Sequence, residues 1–181
     1  ISCGALALFV LVSASDASAQ GKLSGFAGVG PTSTMGDLKD ADSTKSGFMA
    51  TAGFEYKITA PLWLRLDASM GWNDRITNWE EDAYIWTLAA RAEYWLPLGT
   101  DKLRPYVLAG AGMMLYKRNP GQTGLEDTPA FTTKNRTLFS GGAGVDWQIG
   151  SSSIFVEARY DMGADNRAFV PIVLGARWGV R

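Results

Sequence analysis

The sequence predicts an all-β chain: a closed antiparallel eight-stranded up-and-down transmembrane β-barrel. Three observations carry that prediction. Residues 62–73 read Leu-Trp-Leu-Arg-Leu-Asp-Ala-Ser-Met-Gly-Trp-Asn, with Leu62, Leu64, Leu66, Ala68, Met70 and Trp72 on one face and Trp63, Arg65, Asp67, Ser69, Gly71 and Asn73 on the other. A period of two is the signature of a strand. The run outlasts the roughly five to six residues of a globular strand and reaches the ~9–11 that a tilted strand needs to cross a bilayer. The pattern recurs down the chain, and the segments between its copies alternate between tight and long.

The chain opens on an apolar run, residues 5–12, followed by small residues that end Ala17-Ser18-Ala19. That is the h-region and cleavage site of a secretory signal peptide. Residues 1–19 are therefore expected to be the signal, with its basic n-region preceding Ile1, and residues 20–181 the barrel. The apolar run is too short to span a bilayer as a helix.

Eight strands follow. The first, residues 22–30, is glycine-rich. The second, 46–58, sets Phe48, Ala50, Ala52, Phe54 and Tyr56 against Met49, Thr51, Gly53, Glu55 and Lys57. The third is the segment quoted above. The fourth, 83–96, sets Tyr84, Trp86, Leu88, Ala90, Ala92 and Tyr94 against Thr87, Ala89, Arg91, Glu93 and Trp95. The fifth, 104–116, leaves its facing open, because Val107, Ala109, Ala111, Met113 and Leu115 alternate with Tyr106, Leu108, Gly110, Gly112 and Met114. The sixth, 137–149, carries Phe139, Val145 and Trp147 opposite Ser140, Asp146 and Gln148. The seventh, 153–162, carries Ile154, Val156 and Tyr160 opposite Glu157, Arg159 and Asp161. The eighth, 169–180, carries Val170, Ile172, Leu174 and Trp178 opposite Val173 and Arg177.

Connections at 31–45 and 117–136 are long and that at 74–82 is of medium length, those at 59–61, 97–102 and 150–152 are short, and 163–168 closes the set. Short turns at one end and long loops at the other are the asymmetry of bacterial outer-membrane barrels. Outward aromatics then fall into two belts: Phe48, Trp72, Tyr84, Trp86, Phe139 and Tyr160 on the loop side, and Tyr56, Tyr94, Trp147 and Trp178 on the turn side. Aromatic girdles mark the two headgroup levels of a lipid-embedded wall.

The polar face concentrates charge. Glu55, Asp67, Glu93, Asp146, Glu157 and Asp161 oppose Arg65, Arg91, Arg159, Arg177 and Lys57. An eight-stranded barrel has room inside for little besides its own side chains. The residues Glu55, Arg65, Asp67, Arg91, Glu93, Asp146, Glu157, Arg159, Asp161 and Arg177 are thus expected to form an interior ion network that fills the lumen. A proton or ion path, or a carboxylate pair such as Glu157 and Asp161 in acid–base work, is the sharper alternative, and the spacing does not favour it.

Composition closes several classes. Seventeen Lys and Arg against eighteen Asp and Glu give a net charge of −1, which exerts no global pull on nucleic acid. Histidine is absent, so no Ser-His, Cys-His or His-metal constellation can form. Cys3, the only cysteine, lies in the expected signal, which leaves no thiol in 20–181 for a disulfide, a metal or a nucleophile. Neither a cofactor nor a metal is expected. The acidic string Glu80-Glu81-Asp82 after Trp79, and Asp37, Asp40 and Asp42, read as solvated loop carboxylates without the spacing of an EF-hand. The clusters Gly25, Gly28, Gly30 and Gly141, Gly142, Gly144 have no following helix to make them phosphate loops.

From Gln20 onward the chain resembles the small outer-membrane β-barrels of the OmpA/OmpX type. The resemblance rests on the signal and the eight dyad strands. It also rests on Arg104-Pro105-Tyr106 with Gly110 and Gly112, and on Leu174-Gly175-Ala176-Arg177-Trp178. Closing strands of such families end in an aromatic read by the assembly machinery; Trp178 stands there, with Gly179-Val180-Arg181 after it. The resemblance implies export to the bacterial outer membrane and contact with outer-membrane lipid and lipopolysaccharide. Lipid-modifying enzymes of this size class lean on a catalytic histidine with serine, and this chain has no histidine.

The expected function is a non-enzymatic barrel that serves envelope integrity, or surface contact through residues 31–45, 74–82 and 117–136. A surface or envelope protein partner is compatible with this, though no motif names one. Two alternatives stand: a narrow channel for small solutes or ions, and a secreted lipocalin-like barrel with its apolar face turned inward around a ligand.

Overall fold

A computed structural model describes residues 22–40, 44–75, 82–98, 100, 102–118, 133–164 and 166–179. The segment read as a signal, residues 1–19, lies outside them, as do the connections 41–43, 76–81 and 119–132.

The strands are β1 (Leu23–Gly36), β2 (Thr44–Lys57), β3 (Leu62–Arg75), β4 (Asp82–Trp95), β5 (Leu103–Arg118), β6 (Thr133–Ile149), β7 (Ser152–Gly163) and β8 (Arg167–Gly179), with one helical turn, α1 (Asp37–Asp40), between the first two. Each strand pairs antiparallel with its sequence neighbours, and β1 pairs with β8 to close the barrel. Closure leaves no sheet edge, which a bilayer requires because lipid offers no partner for an open backbone amide.

Register and alternation together set the wall. Leu64, Leu66, Ile154, Val156 and Ile172 all point outward and are exposed, which rules out the inward apolar face of a lipocalin-like barrel. On the loop side Phe48, Trp72 and Tyr84 pair in series across β2, β3 and β4. On the turn side Tyr94 lies opposite Leu62, and Trp147 opposite Ile154. Tyr84 and Tyr94 are ten positions apart on β4. At ~3.3 Å per residue and a tilt of ~40°, that separation spans about 25 Å of height, the thickness of the apolar band of an outer-membrane barrel.

The facing of β5 is resolved. Tyr106, Leu108, Met114 and Tyr116 are buried, while Val107 and Met113 are exposed. The inner row carries Gly110 because the β4 backbone runs close against it: a Cβ there would lie 2.1 Å from Ala90 O and 2.6 Å from Arg91 Cα, with Arg91 Cγ at 2.8 Å.

Three expected boundaries move. The first strand does not stop at Gly30 but runs to Gly36. Proline lacks the amide a ladder needs; Pro31 pairs with Phe48 of β2, and the β1–β8 ladder skips Gly30 and Pro31 before resuming at Thr32 opposite Pro171. Of the described residues in 31–45, 31–36 and 44–45 are therefore strand and 37–40 are α1. The long connection expected at 117–136 shrinks to 119–132 as β5 and β6 extend into it, and that expected at 74–82 shrinks to 76–81. The tight β6–β7 turn holds Gly150 at φ 61° between the paired Ile149 and Ser152, the left-handed first position that a two-residue hairpin loop favours.

Candidate functional site

Inward side chains fill the lumen in three layers. The turn-side layer is aromatic. Trp63 and Trp95 meet edge to face with ring centroids 6.3 Å apart, and Trp95 and Tyr106 lie 5.1 Å apart. Arg104 lies over the Trp95 ring at 4.2 Å, and Lys57 over Trp63 at 5.8 Å. Lys57, read from sequence as a fifth base facing the acids, thus sits on an indole at the mouth.

The middle layer is ionic. Glu55, Arg65, Asp67, Arg91, Glu93, Asp146, Glu157, Arg159, Asp161 and Arg177 come from six strands, and none is more than 2 % exposed. Taking so many charges out of water is expensive unless each is paired and hydrogen-bonded; every one of the ten has an ion-pair partner, while single atoms of the layer, Glu55 Oε1, Arg65 Nη2 and Asp67 Oδ2 among them, make no hydrogen bond. On the turn side Arg177 reaches three carboxylates: Glu55 at 3.2 Å, Glu93 at 3.1 Å and Asp146 at 3.4 Å. Its guanidinium also lies over the Tyr106 and Phe155 rings. Ser24 Oγ donates to Glu55 at 3.2 Å, and Ser153 Oγ to Asp146 at 2.6 Å.

Above it, Arg65, Arg91 and Arg159 interlock with Asp67, Glu157 and Asp161. Arg65 Nη1 donates to Glu157 at 2.6 Å, and Tyr106 OH donates to the same oxygen at 2.8 Å. Arg91 pairs with Asp67 and, at 3.3 Å, with Asp161. Arg91 Nε donates to Ser140 Oγ, which in turn donates to Asp161. Arg159 contacts Glu157 at 3.3 Å and Asp161 at 3.5 Å. Arg65 links the two groups through Glu93 at 3.7 Å. Arginine suits this layer because it stays charged and its planar fork reaches several oxygens at once.

Residues outside the expected ion network complete the layer: Ser24, Ser140, Ser153 and Tyr106. Each occupies an inward position on its strand, so alternation was the signal that could have found them. Gly144 makes room for Tyr106, since a Cβ there would fall 2.4 Å from the phenol ring and its oxygen. Gly144→Ala is expected to push Tyr106 off Glu157 and lower unfolding free energy by about 1–3 kcal/mol, as overpacking does; an unchanged urea midpoint in detergent or vesicles would show that the ring can yield.

The loop-side layer is apolar: Met49, Ile85, Ala89, Met114, Tyr116, Leu138 and Phe169, joined by Leu38 from α1. The aromatic residues assigned to the belts have their side chains on the opposite, lipid-facing surface. Phe48, Tyr56, Trp72, Trp86, Tyr94, Phe139, Trp147 and Tyr160 are exposed, and Tyr84 and Trp178 are half-buried. Among the described residues no group of three or more His, Cys, Asp or Glu is arranged to hold a metal ion. Of the acidic string, residues 79–81 lie outside the described residues.

A closed eight-stranded barrel with lipid-height aromatic belts and a charged, packed interior defines an outer-membrane β-barrel. The sequence matches the model of the outer membrane protein beta-barrel domain over residues 4–162, and the chain belongs to that family. Its place is the bacterial outer membrane, among lipid and lipopolysaccharide. Solved structures of like fold include Neisserial surface protein A, at 16% identity and TM-score 0.67, covering 86% of this chain and 96% of that one. Ail, the attachment invasion locus protein of Yersinia pestis, is 16% identical with TM-score 0.59, covering 87% and 99%. The N-terminal barrel domain of Pseudomonas aeruginosa OprF is 14% identical with TM-score 0.56, covering 86% and 96%. At these identities the likeness is one of fold. No curated protein matches the sequence.

Proposed function

We propose that the protein, exported by a signal in residues 1–19, is a non-enzymatic wall element that anchors surface connections and contributes to envelope integrity or surface contact. The observation that carries this reading is the filled lumen: ten charged side chains at 2 % exposure or less, sealed above by an apolar layer and below by stacked aromatics. Such an interior supports a rigid scaffold and opposes the alternative of a narrow channel. A second observation points to the outer end. β5 and β6 are the longest strands, at 16 and 17 residues, and β6 starts six positions above the belt residue Phe139. That extension carries the hairpin about 20 Å along the strand beyond the belt. Recognition usually resides on loops held by such scaffolds.

The test replaces residues 76–81 and 119–132 with short Gly-Ser turns. The barrel should still fold, seen as heat-dependent mobility on a gel, while binding of cells to surface partners falls. Persistence of binding and of envelope phenotypes would move the function into the wall or lumen. Stable single-channel steps from pure protein in planar bilayers would favour the channel instead.

A further inference from the structure

The connection from β1 to β2 does more than join two strands. Leu38, on the four-residue turn α1, has no exposed surface and belongs to one buried apolar cluster with Met49, Ile85, Met114, Leu138 and Phe169 inside the barrel. The turn is fastened across the mouth. Gly36 takes φ 57°, and a Cβ there would lie 2.3 Å from Asn166 O, so only glycine lets the two connections approach this closely. Asp37 N–H donates to that same Asn166 O at 3.2 Å. Thr34 Oγ1 donates to Thr44 O at 2.6 Å, and Thr44 Oγ1 lies 3.2 Å from Tyr116 OH.

Beneath Leu38 the inner wall is two-sided. The apolar layer covers β4, β5, β6 and β8 and takes in Met49 of β2. On β1, β2 and β3 a polar strip runs downward instead. Asn73 Nδ2 donates to Thr32 Oγ1 at 3.1 Å, Ser69 Oγ donates to Thr51 Oγ1 at 2.9 Å, and Arg159 Nη2 reaches Ser69 Oγ at 3.5 Å. Arg159 Nη2 also lies 3.6 Å from Met49 Sδ. Met49 therefore touches both the Leu38 cluster and the ionic layer.

We propose that α1 is a lid built into the fold and that Leu38 is its stopper, keeping outside water off the polar strip and off the Arg159 end of the ion network. The strip supplies hydroxyl and amide partners that water could follow from mouth to network. What interrupts the path is the Leu38 side chain seated among apolar neighbours. A single side chain on one helical turn can lift by local opening while the strands stay paired, so the lid and the barrel have separable stabilities.

The test uses Ser69→Cys as reporter in a Cys3→Ser background, which removes the chain's single natural cysteine. A small membrane-impermeant methanethiosulfonate is added on the loop side of the folded protein in vesicles, and heat-dependent gel mobility confirms the barrel. Labelling should be slow with Leu38 in place. Adding Leu38→Gly should speed it roughly tenfold or more, in proportion to the open population. Leu38→Met, which refills the same apolar seat, should keep it slow. Equal rates with and without Leu38→Gly, whether both fast or both slow, would overturn the proposal, as would fast labelling in Leu38→Met. Should Leu38→Gly not refold, Leu38→Ala carries the same reading, and no acceleration by it overturns the lid.

Discussion

Arg177→Met is expected to lower the unfolding free energy of the barrel by about 3–5 kcal/mol, the loss typical of removing one partner from a buried ionic group. The reason lies in the uneven layout of the network. On the loop side three guanidiniums face three carboxylates, and each carboxylate has more than one donor: Asp67 contacts Arg65 and Arg91, Glu157 contacts Arg65, Arg159 and Tyr106, and Asp161 contacts Arg91, Arg159 and Ser140. On the turn side Glu55, Glu93 and Asp146 converge on Arg177. Methionine would fill much of the arginine's volume and remove the one guanidinium these three carboxylates share, leaving the Ser24 and Ser153 hydroxyls on Glu55 and Asp146 and the longer 3.7 Å contact of Arg65 with Glu93. Arg159→Leu should therefore destabilise less than Arg177→Met, because Glu157, Asp67 and Asp161 each keep a close guanidinium from Arg65 or Arg91. Adding Glu93→Gln to Arg177→Met should recover part of the loss, a non-additivity expected of groups in contact. Urea unfolding in vesicles measures all four proteins. Equal losses from the two arginine variants, or no recovery in the double variant, would sink this account of the layout.

How far the sequence revealed this molecule depends on the range of the interaction in question. Period-two alternation is a local property, so the eight strands and the outward set of Leu64, Leu66 and Val156 could be read directly. Strand β5 resisted, because the close approach of β4, with Ala90 O and Leu88 O nearest, leaves no room for a Cβ at Gly110 and Gly112, and these two glycines blurred the contrast between its faces. Strand ends were misread where a local breaker met a long-range remedy: Gly30-Pro31 looks like a stop, yet Phe48 on β2 pairs with Pro31 and the strand continues. The turn α1 carried no helical pattern over its four residues, and Leu38 is buried in a cluster assembled from distant strands rather than by any local rule.

Pairings within the lumen were the least legible. Arg65 and Glu157 are 92 positions apart, and their meeting follows from closure of the barrel and the register of every strand between them. Alternation could place a charge on the inner face; only register could choose its partner. The aromatic layer was hidden for a related reason. Trp63 and Trp95 share a face with charges, which makes them look like exceptions to a polar surface. They form a floor beneath the charges, with Arg104 and Arg177 over the Trp95 ring.

Leu174→Arg should cost about 2–4 kcal/mol in a bilayer, the penalty for arginine on the lipid face near the midplane. Leu174 is 56 % exposed to the surroundings, and its neighbours across the ladders, Val29 and Val156, are 62 % and 50 % exposed. It stands four positions above Trp178 of the turn-side belt and four below Val170, so a snorkelling side chain has the longest path to either headgroup level. In water the same substitution on an exposed position would be close to neutral, so the effect separates a lipid-facing wall from a solvated one. The comparison that decides it is the urea midpoint of Leu174→Arg against a second substitution on the same outward row, Trp178→Arg, at the belt itself. The headgroup level tolerates arginine, at about 0–1 kcal/mol, although loss of the indole adds its own packing term. Leu174→Arg must therefore be the more damaging if the belts mark the membrane surfaces, and an equal or smaller effect at Leu174 would mean that the apolar band does not sit where the two aromatic rows place it.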